Sequence, residues 1–399
     1  MRTSLNSRPK VLLVAMCDSV HTARWIQQFE ASDVQFFLFP STPHRRMHPI
    51  LRQILSRDES QFIRIRRSDR VLALPLGLLD TVLRTKTRSL RLKRLIENRP
   101  FDFVHLMETQ HAGYIFNYAT RETGQVPITA LSVWGSDFVW FQKFENHRLL
   151  IQELLKKVSC LFTECSRDQA IARNLGFSGT FAERFSAGGG VARLEERNLN
   201  ADDWSPTTRR AIVVKGYTGF VGKALLAVRA IVENADLLRN YEIHIHSLSI
   251  WMIPYLRVLA LRYNLRIIGY RKKSLGQHEV LGLLRRARIS LSVSLTGGLT
   301  GSSREAAWTG AFPIESHGSC VGDWFVDGYT CLLVNPNEIC SVSSALRRAL
   351  LDDDLVEAAA RLNYELSMKF STEEVGSKAL HEYELLMNRT LTNGCQVEV

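Results

Sequence analysis

Eleven short apolar runs, each followed by a stretch with helical spacing, constrain what this 399-residue chain can become. In the first half they are VLLVAM (11–16), VQFFLF (34–39), FDFVHL (101–106), ITALSV (128–133) and CLFTEC (160–165). In the second they are AIVVKG (211–216), YEIHIHS (241–247), LRIIGY (265–270), ISLSVS (289–294), FPIES (312–316) and CLLVN (331–335). Strands alternating with helices are the signature of βαβ units, whose strands pair in parallel beneath helices on both faces. The alternation stops near residue 200, where EERNLNADDWSPTTRR (195–210) is polar, contains Pro206 and reads as a linker, and then restarts. The expected fold is therefore α/β, with two doubly wound Rossmann-like domains in tandem. Residues 1–200 would form the first and 201–375 the second, with 376–399 a helix and tail free to pack back on the first. Ligands of such sheets bind beyond the carboxyl ends of the strands, so two domains facing each other would enclose a cleft.

Charge is placed unevenly. The net charge is +11, and between Arg45 and Arg99 fifteen Lys or Arg (45, 46, 52, 57, 64, 66, 67, 70, 84, 86, 88, 91, 93, 94, 99) oppose five acids (58, 59, 69, 80, 97), leaving +10 there. A solvated helix face, an anionic membrane surface and nucleic acid are the three readings of such a run. Nucleic acid is the weakest, since no helix-turn-helix, RNP-type aromatic pattern or zinc knuckle accompanies the charge. The first ten residues, MRTSLNSRPK, lack an apolar signal core, and no apolar run approaches the length of a membrane span. The expected location is the cytoplasm, with peripheral contact on the inner face of the membrane if the basic segment meets lipid. Seven cysteines, an odd number, show no two-residue spacing of a zinc or redox site.

Two stretches carry the chemistry. TGGLTGSSREAAWTGAFPIES (296–316) leads a glycine-rich loop into a helix in which Ser302 or Ser303 can cap the start and Glu305 stands early. A helix start gathers unpaired N–H donors at the positive end of its dipole, which favours an anion, most often phosphate. Upstream, the strand AIVVKG ends on Lys215, and YTGFVG leads to Lys223 at the next helix start, with Gly216, Gly219 and Gly222 between. Two phosphate-friendly helix starts on one sheet edge suit a nucleoside diphosphate. No carboxylate and histidine cluster has metal-ligand spacing, so no metal ligand is assigned.

The stretch 289–336 resembles the donor site of retaining GT-B glycosyltransferases, the large fourth sequence family (glycosyl transferases group 1). KGYTGFVGKALLAVRAI is similar to its phosphate-binding segment, FDFVHLMETQHAGY to its central amino-terminal strand and turn, and SVWGSDF to its interdomain loop. The resemblance covers most of residues 10–385. It implies that Glu305 accepts hydrogen bonds from the donor's ribose hydroxyls. It implies that Gly216 and the run Gly298, Leu299, Thr300, Gly301, Ser302 and Ser303 hold phosphate, while Lys215 and Lys223 neutralise the departing diphosphate. His111, before AGY, is the candidate for the sugar or acceptor, and His21, His105, Glu108 and Asp137 are the acceptor-side candidates. The family's usual metal independence implies no cofactor beyond the nucleotide-sugar donor.

Departures from the family's pattern stand beside these likenesses. The first glutamate of its Glu, seven residues, Glu pattern is Gly297 here, and its second histidine near the central strand is Met107. CDSVHTARW replaces the glycine loop that many members carry after the first strand. The implied activity is sugar transfer from a nucleotide-diphosphate donor to a glycan or lipid-linked acceptor, with retention, in bacterial surface polysaccharide assembly. Alternatives are a GT-B-fold sugar-nucleotide epimerase and, given Gly297 and Met107, a nucleotide-sugar binding protein without turnover.

Overall fold

The structure is a computed structural model that describes residues 8–43, 46–56, 63–82, 86–121, 126–191, 205–219, 221–272 and 274–394. The chain divides into two compact units, one of Met1–Ala192 with Ser371–Val399 and the other of Arg193–Phe370.

In the first unit the strands are β1 (Lys10–Ala15), β2 (Gln35–Pro40), β3 (Ile63–Ile65), β4 (Phe103–Met107), β5 (Thr129–Ser132), β6 (Cys160–Phe162) and β7 (Thr180–Phe181). They form one sheet in the order β3-β2-β1-β4-β5-β6-β7, and all its pairings are parallel. The alternation of side chains along β1 shows why both faces must be covered. Val11, Leu13 and Ala15 join one buried cluster with Trp25, Phe29 and Phe36, while Leu12 and Val14 join another with Leu106, Phe116 and Leu131. The helix Thr372–Gly394 contributes Val375, Ala379, Tyr383 and Leu386 to the first cluster, so the end of the chain completes the core of the unit that begins it.

The second unit repeats the plan with β8 (Ala211–Lys215), β9 (Glu242–Leu248), β10 (Arg266–Arg271), β11 (Ile289–Ser292), β12 (Phe312–Ser316) and β13 (Leu332–Val334). Its order is β10-β9-β8-β11-β12-β13, again parallel throughout. Ile212 and Val214 of β8 pack with the helix Ala224–Glu233 through Ala227 and Ile231, whereas Val213 packs on the opposite face with Ala306 of the helix Gly301–Thr309.

All eleven apolar runs became strands. The sequence reading missed β3 and β7, edge strands of three and two residues, which are too short to show a period. Of the proposed linker, 195–204 lies outside the described residues, and Pro206–Thr208 forms a single 3-10 turn leading into β8.

Candidate active site

The second unit reverses strand order between β8 and β11, whose following helices pack on opposite faces of the sheet. The connections after these two strands therefore diverge and leave a crevice at the carboxyl edge. Backbone hydrogen bonds stitch its two lips together. Lys223 N–H donates to the Val293 carbonyl at 3.0 Å and Leu295 N–H to the Val221 carbonyl at 2.7 Å, around a bridge between Gly222 and Ser294. Glycine is required at two of these positions. A Cβ at 216 would lie 2.6 Å from Leu248 Cδ2 and 2.7 Å from the His246 carbonyl, and one at 222 would lie 2.1 Å from the Tyr217 carbonyl.

On the β11 side, Thr300 has extended backbone and its Oγ1 accepts the Ser303 N–H at 3.1 Å, which makes it the N-cap of the helix Gly301–Thr309. The cap is thus Thr300 rather than Ser302 or Ser303, and the helix begins three residues earlier than its polar start suggested, because Gly301 and both serines already have helical backbone. Leu299 anchors the loop from below, buried with Ala307, Val321 and Phe325. Gly310, with φ 74°, closes the helix in the left-handed conformation.

A carboxylate unremarked in the sequence organises this helix start. Glu315, fully buried at the end of β12, accepts hydrogen bonds at Oε1 from Thr300 Oγ1 at 2.9 Å and Ser302 Oγ at 3.2 Å. Burial pushes its carboxyl up to about 7, against the opposing pull of the Lys215 charge and of the Thr300, Ser302 and Ser292 hydroxyls. Lys215 also acts on His246, its register partner on β9. Burial and the Lys215 charge hold that imidazole down at about 4, while Glu305 pulls the other way. Lys215, His246, Glu305 and Glu315 therefore share one electrostatic neighbourhood at the carboxyl edge. The only sequence signal for Glu315 was a lone acid closing an apolar run.

In the first unit, β4 is followed directly by Glu108, which has φ 83° and ψ 159°, a conformation nearly confined to glycine. The strain is held by its carboxylate, which accepts the N–H groups of Gln110 at 2.9 Å, His111 at 2.8 Å and Ala112 at 2.7 Å and so caps the π-helical turn Thr109–Gly113. Burial, then the nearby Asp137 charge, push Glu108 up to about 8 despite those three donors. Asp137, buried in the short helix Ser136–Val139, accepts from the N–H of Thr109 at 3.1 Å, and burial raises it to about 6. His111 itself is exposed. His21 lies in the first turn of the helix Val20–Gln27, its ring 4.8 Å from that of Trp134, and Gly188 closes in on it so tightly that a Cβ there would sit 2.4 Å from Nδ1.

The architecture has close structural relatives at low identity. Sucrose-phosphate synthase from Thermosynechococcus elongatus superposes with a TM-score of 0.69 at 13% identity, over 96% of this chain and 100% of that one. HepE from Anabaena, in complex with UDP and glucose, gives 0.66 at 10% identity over 94% and 99%. The lipopolysaccharide outer core galactosyltransferase WaaB gives 0.63 at 13% identity over 96% and 99%. No curated protein sequence matches the chain. These likenesses establish the GT-B fold, and the amino-terminal sequence supplies the class of activity: residues 10–164 match the model of the glycosyl transferase 4-like family. The chain is a GT-B glycosyltransferase.

In this glycosyltransferase the matched span runs from β1 past β6, so it embraces Glu108, His111 and Asp137. One candidate proves different from its reading. His105 is a core residue, with no exposed surface: its Nδ1 is 2.7 Å from Tyr383 Oη and its Nε2 2.9 Å from Ser132 Oγ. Trp25 Nε1–H donates to the same Tyr383 oxygen at 2.9 Å, so the phenol donates to His105 Nδ1 and the imidazole stays neutral. Burial lowers it to about 3. It cannot meet an acceptor, because the aromatic cluster encloses it.

The basic segment is also partly committed. Arg45, Arg57, Asp58, Glu59 and Arg84 lie outside the described residues. Arg88 pairs with Asp80 and donates to the Ser41 carbonyl, and Arg91 and Arg66 both pair with buried Asp69. Arg52, Arg64, Lys86, Arg94 and Arg99 remain exposed, and of the leucines among the cations Leu92 and Leu95 are buried while Leu90 is exposed.

Proposed function

We propose that the enzyme moves a sugar from a nucleoside-diphosphate donor to a glycan or lipid-linked acceptor with retention of configuration. The carrying observation is the crevice of the second unit, where two helix starts and Lys215 and Lys223 converge at the switch between β8 and β11. An anionic diphosphate suits that convergence, because N–H donors and fixed cations there need no rearrangement as charge develops on the leaving group. Glu305, at 8% exposure in the second turn of its helix, would take the ribose hydroxyls. HepE, of the same fold, was crystallised with UDP-glucose, which is consistent with such a donor. The second unit is then the donor domain and the first the acceptor domain.

No protein nucleophile is assigned. The departing phosphate oxygen would take the acceptor's proton on the face it leaves, and protein groups act by positioning and electrostatics. His111, exposed but with its backbone fixed by Glu108, and His21 are the acceptor-side groups, with Asp137 and Glu108 holding the turn that carries His111. The exposed cations among 45–99 support a lipid-linked or membrane-presented acceptor, as in surface polysaccharide assembly. No metal ligand is assigned to the donor.

Time-resolved NMR with UDP- and GDP-sugars tests the reading. Transfer releases free nucleotide and makes a new glycoside. A changed sugar still attached to nucleotide would make the chain an epimerase, and an unaltered but bound nucleotide sugar would make it a binding protein.

A further inference from the structure

Among the described residues of the second unit, one helix shows an apolar face to solvent as well as one to the core. In Met252–Tyr263, Met252 and Leu256 are buried against the β9 side of the sheet, the ordinary inward stripe of a surface helix. The opposite side should be polar and is not. Trp251, Tyr255 and Val258 follow at i, i+4 and i+7, and Pro254, Val258 and Leu261 repeat that spacing, so all five lie on one outward stripe. Leu261 is 85%, Val258 62% and Trp251 53% exposed, and Ile250 in the preceding turn is 66% exposed. Single exposed apolar residues are common, but a contiguous set marks an interaction surface.

Charge decides what that surface meets. The stretch 243–278 holds six Lys or Arg (257, 262, 266, 271, 272, 273) and no Asp or Glu. Arg257 and Arg262 flank the stripe on the helix itself and are exposed, as are Arg271 and Lys272 at the end of the edge strand β10. Arg266 is paired with Glu242 at 2.9 Å. We propose that the helix Met252–Tyr263 and the turn before it form an interfacial anchor that seats the second unit on an anionic lipid bilayer. Tryptophan and tyrosine have an apolar body and a polar tip suited to the headgroup boundary, the aliphatic side chains reach below it, and uncompensated arginines attract anionic headgroups. A protein partner would have to supply a matching acidic rim around an apolar groove, whereas an anionic bilayer offers both over any area. The anchor is independent of the basic segment 45–99, so either can fail without the other.

The test is co-sedimentation of the full chain with vesicles of phosphatidylcholine alone and of phosphatidylcholine mixed with phosphatidylglycerol, at low and high salt. Wild type is compared with the triple variant Trp251→Ser, Val258→Ser, Leu261→Ser, with the pair Arg257→Gln, Arg262→Gln, and with a quadruple glutamine variant at Arg88, Arg91, Lys93 and Arg94. The triple variant should lose about tenfold or more of its affinity for the anionic vesicles, and the pair should lose binding chiefly at low salt. The wild-type minus Trp251→Phe emission spectrum should shift to the blue on those vesicles. Nucleotide affinity, unchanged in the triple variant, confirms that the unit is folded. Equal binding by wild type and triple variant overturns the proposal. So does a wild-type dimer that the triple variant alone dissociates in the absence of lipid, since the face would then belong to a second copy. Loss confined to the quadruple variant overturns it too, while leaving the membrane-presented acceptor standing.

Discussion

Thr300 Oγ1 donates to Glu315 Oε1 at 2.9 Å while accepting the Ser303 N–H at 3.1 Å, so one hydroxyl ties the cap of the helix Gly301–Thr309 to a carboxylate buried in the sheet beneath it. A rigid helix start is thereby built on a group that is costly to ionise.

That cost has a sign. The Glu315 carboxyl is raised from 4.5 in the ordinary state to about 7 when folded, so between these values the folded chain holds a proton the unfolded chain has released. Its contribution is intact below pH 4.5 and is lost as pH rises toward 7, at up to about 1.4 kcal/mol per pH unit. Glu108 and Asp137, also raised, slope the same way in the first unit. Glu315→Gln should remove one of these contributions. Urea unfolding of the second unit across that range checks it, and parallel pH slopes for variant and wild type would refute the assignment.

Glu305→Ala should weaken binding of free nucleotide by about 1.5–3 kcal/mol, the range for hydrogen bonds to a charged group. Calorimetry measures it directly. An unchanged affinity in a folded variant removes Glu305 from the site.

Lys215→Ala and Lys223→Ala should depress kcat more than they alter melting, since in the proposed reaction their charges act on the leaving diphosphate. Lys223 holds its place through backbone hydrogen bonds that alanine keeps, so its melting temperature should move least. Steady-state kinetics and thermal melts on the same samples decide the matter, and normal turnover in the double variant would exclude both lysines.

Gly297 stands where the resembling family has a glutamate, and a Cβ there would meet nothing nearer than 3.7 Å. Gly297→Glu should therefore fold with a stability change within about 0.5 kcal/mol while altering turnover or donor preference. A variant that unfolds would show that the loop needs glycine for its backbone. One that folds and behaves as wild type would show that the position does not face the donor.

Tyr383→Phe removes the oxygen that Trp25 and His105 share. Two buried groups lose their partner, at a cost of about 1–3 kcal/mol in the first unit. Nucleotide affinity should stay unchanged, because neither group belongs to the proposed donor site. Denaturant midpoints and calorimetry on the same protein separate the two effects, and an unaltered midpoint would mean that the network contributes nothing.

The sequence by itself determined the order of elements, the two parallel sheets and the candidate phosphate loops. Each of these is written locally, in runs such as VLLVAM and AIVVKG and in glycines set beside helix starts. The tertiary structure decided which polar residues are scaffold. His105 was read near an acceptor because its segment resembles the family's central amino-terminal strand and turn, yet Tyr383, 278 positions away, encloses it. Glu315 passed unnoticed because its significance lies in Thr300, fifteen positions earlier on another element, and no local pattern reports a contact made by folding. Edge strands β3 and β7 escaped for the same reason, since segments so short are strands only because a neighbour supplies their hydrogen bonds. Periodicity along a chain fixes which face is buried, whereas the partner that a buried polar group finds is fixed only when distant segments meet.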